Sequence, residues 1–403
     1  MAKESNLMTP ISLALSLSAP RAPPYKSLER EHLANDHPHL KLHPDLSDRI
    51  TRKIGHLLSL DTQQKLRDTG SFRWWMDTIV TVTAPTLVLS HPSSASNFLK
   101  LSSRMELIPY GTHSMQNIHF WKPEEKKTPR GLLFFVHGGA WGSGHAWMYR
   151  LLALPFLDLG MAVAIVGYRN YPDANAAEQV ADLNRAANEL QRCKSDLIER
   201  IRHTSSSLGV CLAGHSSGAH IALWMLVDRV NHAGMKMSKD SKTTIQAEKL
   251  VFDSFIGLSG VYNINDHFDY EASRGVEELS PMKPACGMTR DNFKSSSPGI
   301  RLARTLSVME HNKDKNLPCV DQYMPRMLLL HGMKDTTVPF SSTAECAQLL
   351  RSCGVTRYSE QYLGNTDHGQ TVLDLMLGGQ TLDCVKSFLQ DCELNPLIIK
   401  SKL

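Results

Sequence analysis

The sequence predicts an α/β fold: a mostly parallel central sheet with helices on both faces and helical cap elements. Three observations predict it. From Met105 onward, short continuous apolar runs alternate with segments of helical period; the run Val210 to Ala213 leads directly into a Gly-x-Ser-x-Gly pentapeptide and then a helical stretch; and the run Leu132 to Val136 ends in His137-Gly138-Gly139. Short continuous apolar runs suit strands buried on both faces, and their alternation with helices brings such strands parallel.

Taken in chain order, residues 1–45 are rich in Pro, Ser and His and lack sustained periodicity, and they read as a flexible arm. His32, His37, His39 and His43 lie there without a cysteine, and Pro38 and Pro44 break any helical face, so they read as a solvated loop rather than a metal cluster. Residues 46–100 form a helical N-terminal or cap segment: Ile50, Ile54, Leu57 and Leu58 recur at helical spacing, and Trp74 to Leu89 is strongly apolar. Asp77 and Pro85 interrupt that apolar stretch, which falls short of the roughly 20 residues a bilayer requires. Packing against the body is the expected reading and peripheral membrane contact the alternative.

Residues 101–395 make up the catalytic domain. Leu132 to Val136, Ala162 to Val166, Val210 to Ala213, Val251 to Ile256 and Met327 to Leu330 read as buried strands, with helices over 147–158, 176–193, 217–229, 342–352 and 372–390. The polar stretch 232–248 reads as a surface excursion. Residues 264–322, irregular and holding several Pro and Met, are expected to supply a cap insertion. Residues 396–403 form a tail ending in Ser401-Lys402-Leu403, the tripeptide read by the peroxisomal import receptor, so a peroxisome is expected, with the cytoplasm as the alternative.

The chemistry is concentrated where apolar runs end. A serine on a sharp turn between strand and helix is exposed above the sheet, with small residues on either side preventing backbone collision. Ser216 occupies that place, since only it, and not Ser217, has a glycine two residues away on both sides. Acyl transfer develops negative charge on a carbonyl oxygen, which fixed backbone N–H groups stabilise. The amides of Gly138, Gly139 and Ser217 are the predicted donors of this oxyanion hole.

A serine hydroxyl also needs a base, and the base an orienting acid. Asp335 follows the strand Met327 to Leu330, and His368 follows the apolar stretch near Tyr362, in the chain order Ser, Asp, His. Asp367 competes as the acid, but its adjacency to His368 makes the side-chain geometry awkward. Trp141, Tyr168 and His215 are candidate substrate contacts.

Together, His137-Gly138-Gly139-Ala140-Trp141, Gly167-Tyr168-Arg169-Asn170-Tyr171-Pro172, Gly214-His215-Ser216-Ser217-Gly218-Ala219-His220-Ile221-Ala222 and His331-Gly332 through Val338-Pro339 resemble the α/β-hydrolase serine esterases related to hormone-sensitive lipase and kynurenine formamidase. Over about residues 105–391 the chain is most similar to the isoprenylcysteine methylesterase-like branch. The resemblance implies the α/β-hydrolase fold, and that Tyr168, Arg169 and Pro172 shape the region near the oxyanion turn. Three readings stay open: a carboxylesterase acting through an acyl-enzyme on Ser216, an arylformamidase using the same machinery on an amide, and a non-catalytic α/β-hydrolase binding protein. The first two take a small-molecule ester or amide and require no metal or organic cofactor.

Composition is consistent with this and excludes other classes. With 42% apolar and 21% charged residues the 403-residue chain can bury a large core, and 44 Lys+Arg against 40 Asp+Glu leaves a formal charge of +4 with no basic stripe, which argues against nucleic acid as a partner. Eight scattered cysteines without a C-x-x-C pair suit a reducing compartment.

Overall fold

The computed structural model describes residues 57–68, 92–123, 128–237, 249–311 and 320–394. The expectations for residues 1–45, Trp74 to Leu89 and Ser401-Lys402-Leu403 lie outside the described residues.

Eight strands form one sheet: β1 (Glu106–Pro109), β2 (Asn117–Trp121), β3 (Gly131–Val136), β4 (Met161–Val166), β5 (Gly209–His215), β6 (Ser254–Leu258), β7 (Arg326–Gly332) and β8 (Tyr358–Leu363). Their order is β1-β2-β4-β3-β5-β6-β7-β8. From β4 to β8 every pairing is parallel, while β1 and β2 are added antiparallel at one edge. This is the α/β-hydrolase fold.

The strand sequences explain the layering. Every residue of β3 and β4 is buried, as continuous apolar runs require when helices cover both faces. Leu132, Phe134, Val210 and Leu212 pack in one core layer, and Leu133, Phe135, Cys211 and Ala213 in the other, since successive side chains leave opposite faces. Full burial of such a side chain contributes roughly 1.5–3 kcal/mol. The helix Ala176–Cys193 covers the first layer through Val180, Leu183, Ala187 and Leu190, and it starts at a capping box in which Asn175 and Glu178 each accept the other's backbone N–H.

Several element boundaries differ from expectation. The segment 264–322 is not irregular: its described part carries the helices Ile264–Ser273, Met282–Ala285, Arg290–Ser296 and Pro298–His311. Its prolines misled because Pro281 and Pro298 stand at helix starts, where proline's missing N–H costs nothing. The helix from Ser217 runs on to Met237, into what reads as a polar excursion. The single helix expected over 372–390 is two, His368–Leu377 and Gln380–Leu394, parted at Gly378 and Gly379, both with positive φ. Of the N-terminal segment, the helix Leu60–Asp68 lies on the 275–278 turn, where Gln63 Nε2 donates to the Gly275 carbonyl and Arg67 pairs with Glu278 at 2.9 Å.

Candidate active site

Parallel strands in register deliver their following loops to one edge. Val136 of β3 pairs with Gly214 of β5, His215 with Leu258 of β6, Leu258 with Leu330 of β7, and Gly332 with Leu363 of β8. The glycine turn, the Gly-x-Ser-x-Gly elbow, the Asp335 loop and the His368 loop therefore meet there, at the carboxyl ends where sites of open α/β sheets lie.

Ser216 is the one residue between β5 and the helix Ser217–Met237, and its φ of 55° is in the left-handed region. A side-chain-bearing residue persists there only when its surroundings impose it. They do: the Ser216 N–H donates to the Leu258 carbonyl at 2.9 Å, and its own carbonyl accepts the His220 N–H at 3.2 Å. Gly218 makes the turn possible, because a Cβ at that position would stand 2.2 Å from the His137 carbonyl oxygen and 2.4 Å from that of Val136.

The turn after β3 is held from behind. Tyr168 Oη donates to the His137 carbonyl at 2.8 Å, with its ring stacked on the His137 imidazole at 4.3 Å. Gln179 Nε2 donates to the Trp141 carbonyl at 2.8 Å, Asn170 Nδ2 to that of Gly144 at 3.0 Å, and Trp141 Nε1 to His220 Nδ1 at 3.1 Å. Arg169 forms a two-pronged ion pair with buried Asp182, both contacts 2.9 Å. Tyr168 and Trp141 are thus corrected from substrate contacts to supports of the turn: both are buried, and their polar atoms are committed inside the protein.

The expected donor trio is also revised. The Gly138 N–H already donates to Tyr149 Oη at 3.2 Å, which leaves the amides of Gly139 and Ser217 as the candidates. Ser217 opens a helix, so its N–H belongs to the first turn, whose amides have no intrahelical acceptor.

On the other side, Asp335 is buried in the loop after β7. Its Oδ2 accepts His368 Nδ1–H at 2.7 Å and lies 3.2 Å from His331 Nε2, and its Oδ1 accepts the N–H groups of Thr337 at 2.9 Å and Val338 at 2.8 Å. Burial alone would raise its pKa, but the charge of a protonated His368 and the hydrogen bonds from His331 and His368 outweigh burial and hold the carboxyl far below the usual carboxylate range. With Nδ1–H donated to Asp335, the imidazole of His368 keeps Nε2 as its other nitrogen.

A Cβ on Gly332 would stand 2.2 Å from the Thr366 carbonyl oxygen, so the loops carrying Asp335 and His368 close on each other only over glycine. Asp367, the competing acid, caps the helix His368–Leu377 by accepting the Gln370 N–H at 2.8 Å.

Two residues escaped the sequence reading. His331 shares its Nε2–H between the Val338 carbonyl at 3.0 Å and Asp335 Oδ2 at 3.2 Å, and its Nδ1 accepts Thr343 Oγ1–H at 2.8 Å, which braces the Asp335 loop; its place one residue before Gly332 is the available signal. Tyr149 carries no motif. Between the two sides, His215 Nε2 donates to the His368 carbonyl at 3.1 Å, with the two rings 4.8 Å apart. Both of its ring nitrogens are occupied within the protein, which removes His215 from the candidate substrate contacts.

Comparison with known proteins follows the same outline. The family model described as BD-FAE matches residues 118–350. The probable isoprenylcysteine alpha-carbonyl methylesterase of Oryza sativa subsp. japonica is 27% identical over 276 residues, 67% of this chain and 59% of the rice protein, so less than two thirds of that relative's length is spanned. The kynurenine formamidase of Danio rerio is 28% identical over 119 residues, 30% of this chain and 37% of that one. Among solved structures, esterase B from Lactobacillus Rhamnosis superposes with a TM-score of 0.52 at 14% identity, covering 79% of this chain and 96% of that one, a likeness of fold.

Proposed function

The chain belongs to the BD-FAE family, and from that premise we propose that it is a carboxylic-ester hydrolase that works through a covalent acyl-enzyme on Ser216. Ser216 Oγ attacks the ester carbonyl while His368 Nε2 accepts its proton; Asp335 holds the Nδ1–H and stabilises the imidazolium that forms. The oxyanion rests on the amides of Gly139 and Ser217, fixed dipoles that need no reorganisation as charge develops. His368 returns the proton to the leaving alcohol, and water, activated by the same imidazole, releases the acid and restores the serine.

The observation that carries this reading is the 2.7 Å bond between Asp335 and His368, placed at the same sheet edge as a serine in a left-handed elbow. Substituting Ser216→Ala is expected to abolish hydrolysis of p-nitrophenyl acetate and labelling by a fluorophosphonate, with the melting profile retained. Undiminished turnover in that variant overturns the reading, and a folded wild-type protein that neither hydrolyses the ester nor takes the label returns the non-catalytic binding protein. The similarity to the zebrafish formamidase supports an arylformamide as the second substrate class, so N-formylkynurenine belongs in the same assay.

A further inference from the structure

Tyr149 stands in the 3-10 helix Ala146–Leu152, with its ring against Phe135 at 5.4 Å and His137 at 6.0 Å. Packing alone asks only for the ring, which phenylalanine would supply. A hydroxyl in such a setting needs partners, and this one has two. It accepts the Gly138 N–H at 3.2 Å, and it lies 3.4 Å from His215 Nδ1.

The direction of each bond follows from the donors available. The carbonyl of His368 only accepts, so His215 Nε2 carries the hydrogen in their 3.1 Å contact. Burial, with the nearby His368 charge adding to it, pushes the His215 pKa down to about 3, so the ring is neutral and its Nδ1 is a bare acceptor. Tyr149 therefore donates its O–H to Nδ1. The result is one continuous path: Gly138 N–H to Tyr149 Oη, Tyr149 O–H to His215 Nδ1, and His215 Nε2–H to the backbone of His368.

We propose that Tyr149 and His215 form a hydrogen-bonded tie that fixes the spacing between the oxyanion turn and the base loop, with Tyr149 as a positioning residue. The tie runs through the residue immediately before Ser216, so it registers all three parts of the site against one another. It also assigns the Gly138 amide a holding role. The inference rests on the acyl-enzyme reading above, because the spacing matters only if His368 must meet Ser216 beside the oxyanion donors. Misplacement of a catalytic group by about 1 Å costs on the order of 100-fold in rate.

Two measurements test it. In the first, Tyr149→Phe, His215→Leu and the double variant are assayed on p-nitrophenyl acetate. Tyr149→Phe is expected to lower kcat about 10- to 100-fold with KM held within about threefold, and the double variant to lose no more than His215→Leu alone, since both substitutions cut the same tie. A Tyr149→Phe kcat within about twofold of wild type, or losses that multiply in the double variant, overturns the tie.

In the second, which needs no variant, the imidazole nitrogen shifts of the ¹⁵N-histidine-labelled protein are expected to show His215 neutral with the hydrogen on Nε2. A hydrogen on Nδ1 overturns the tie. The wild-type protein assayed alongside separates the two levels: turnover and labelling at Ser216 together with an unaffected Tyr149→Phe sink the tie alone, whereas loss of turnover and labelling in wild type sinks both.

Discussion

The two sides of the site are built by different means. On the Ser216 side the placement is backbone work: β3 and β5 are buried through nearly their whole length, Ser216 is forced to φ 55°, and the elbow helix approaches β3 so closely that Gly218 has no room for a Cβ. On the side of Asp335 and His368, β8 is a half-exposed edge strand, and His368 is placed by side chains, through a carboxylate that takes four hydrogen-bond donors. The first arrangement tolerates no added atom; the second tolerates no lost charge.

The sharpest break of that contrast is Asp335→Asn. Oxygen in place of Oδ1 can still accept the Thr337 and Val338 amides, so the loop is expected to keep its shape, but the amide nitrogen presents a donor to Nδ1 and selects the wrong tautomer of His368. We expect kcat to fall about 10⁴-fold, and the thermal transition to drop as well because the stabilising charge of the buried carboxylate is lost, measured by ester turnover and calorimetry. Gly218→Ala attacks the other side sterically. The displaced elbow is expected to cost about 10²- to 10³-fold in kcat, the size of a lost oxyanion donor, with a lower melting temperature as well. Near-wild-type activity there would show that the elbow is more yielding than its contacts imply.

Acid should separate the two sides. Burial, opposed in part by hydrogen bonds to backbone carbonyls, holds His137 and His220 at about 4, and burial together with the His368 charge holds His215 at about 3. The ordinary imidazole value is 6.5. Below pH 6.5 the unfolded chain therefore takes up protons that the folded one refuses, and stability declines as the pH falls toward 4, by about 3 kcal/mol for each such histidine. Asp335 acts in the same direction but in a lower window: its depressed folded pKa contributes stability that is complete above the unfolded carboxylate value of 3.8 and is lost only as the pH falls below it. Hydrogen exchange between pH 6.5 and 4.5 should thus loosen amides of β5 and the elbow before those of the Asp335 loop; the reverse order would refute the assignment of the buried histidines as neutral.

The smallest effect sharpens the division of labour between the two neighbouring acids. Asp367→Ala removes an N-cap and is expected to cost about 1 kcal/mol of stability by denaturant unfolding, far from the 10⁴-fold rate loss at Asp335.

What the sequence determined by itself was short-range. β3, β4, β5 and β7 announce themselves as continuous apolar runs, and the elbow, the glycine turn and the Asp335 loop each stand at the end of such a run, because a strand buried on both faces must be apolar throughout and its chemistry can begin only where burial ends; the His368 loop instead follows the half-exposed β8, which carries no such run. The short antiparallel β1 and β2 show no such run across both strands, and a helix that begins at proline looks irregular in sequence alone.

Tertiary structure decided what depends on groups brought together from distant parts of the chain. It gave the Gly138 amide to Tyr149, buried Tyr168 and Trp141 behind the turn, and set which nitrogen of His215 carries its hydrogen. A hydrogen bond is directional and acts over about 3 Å, so its partners are fixed only once the whole sheet has placed them.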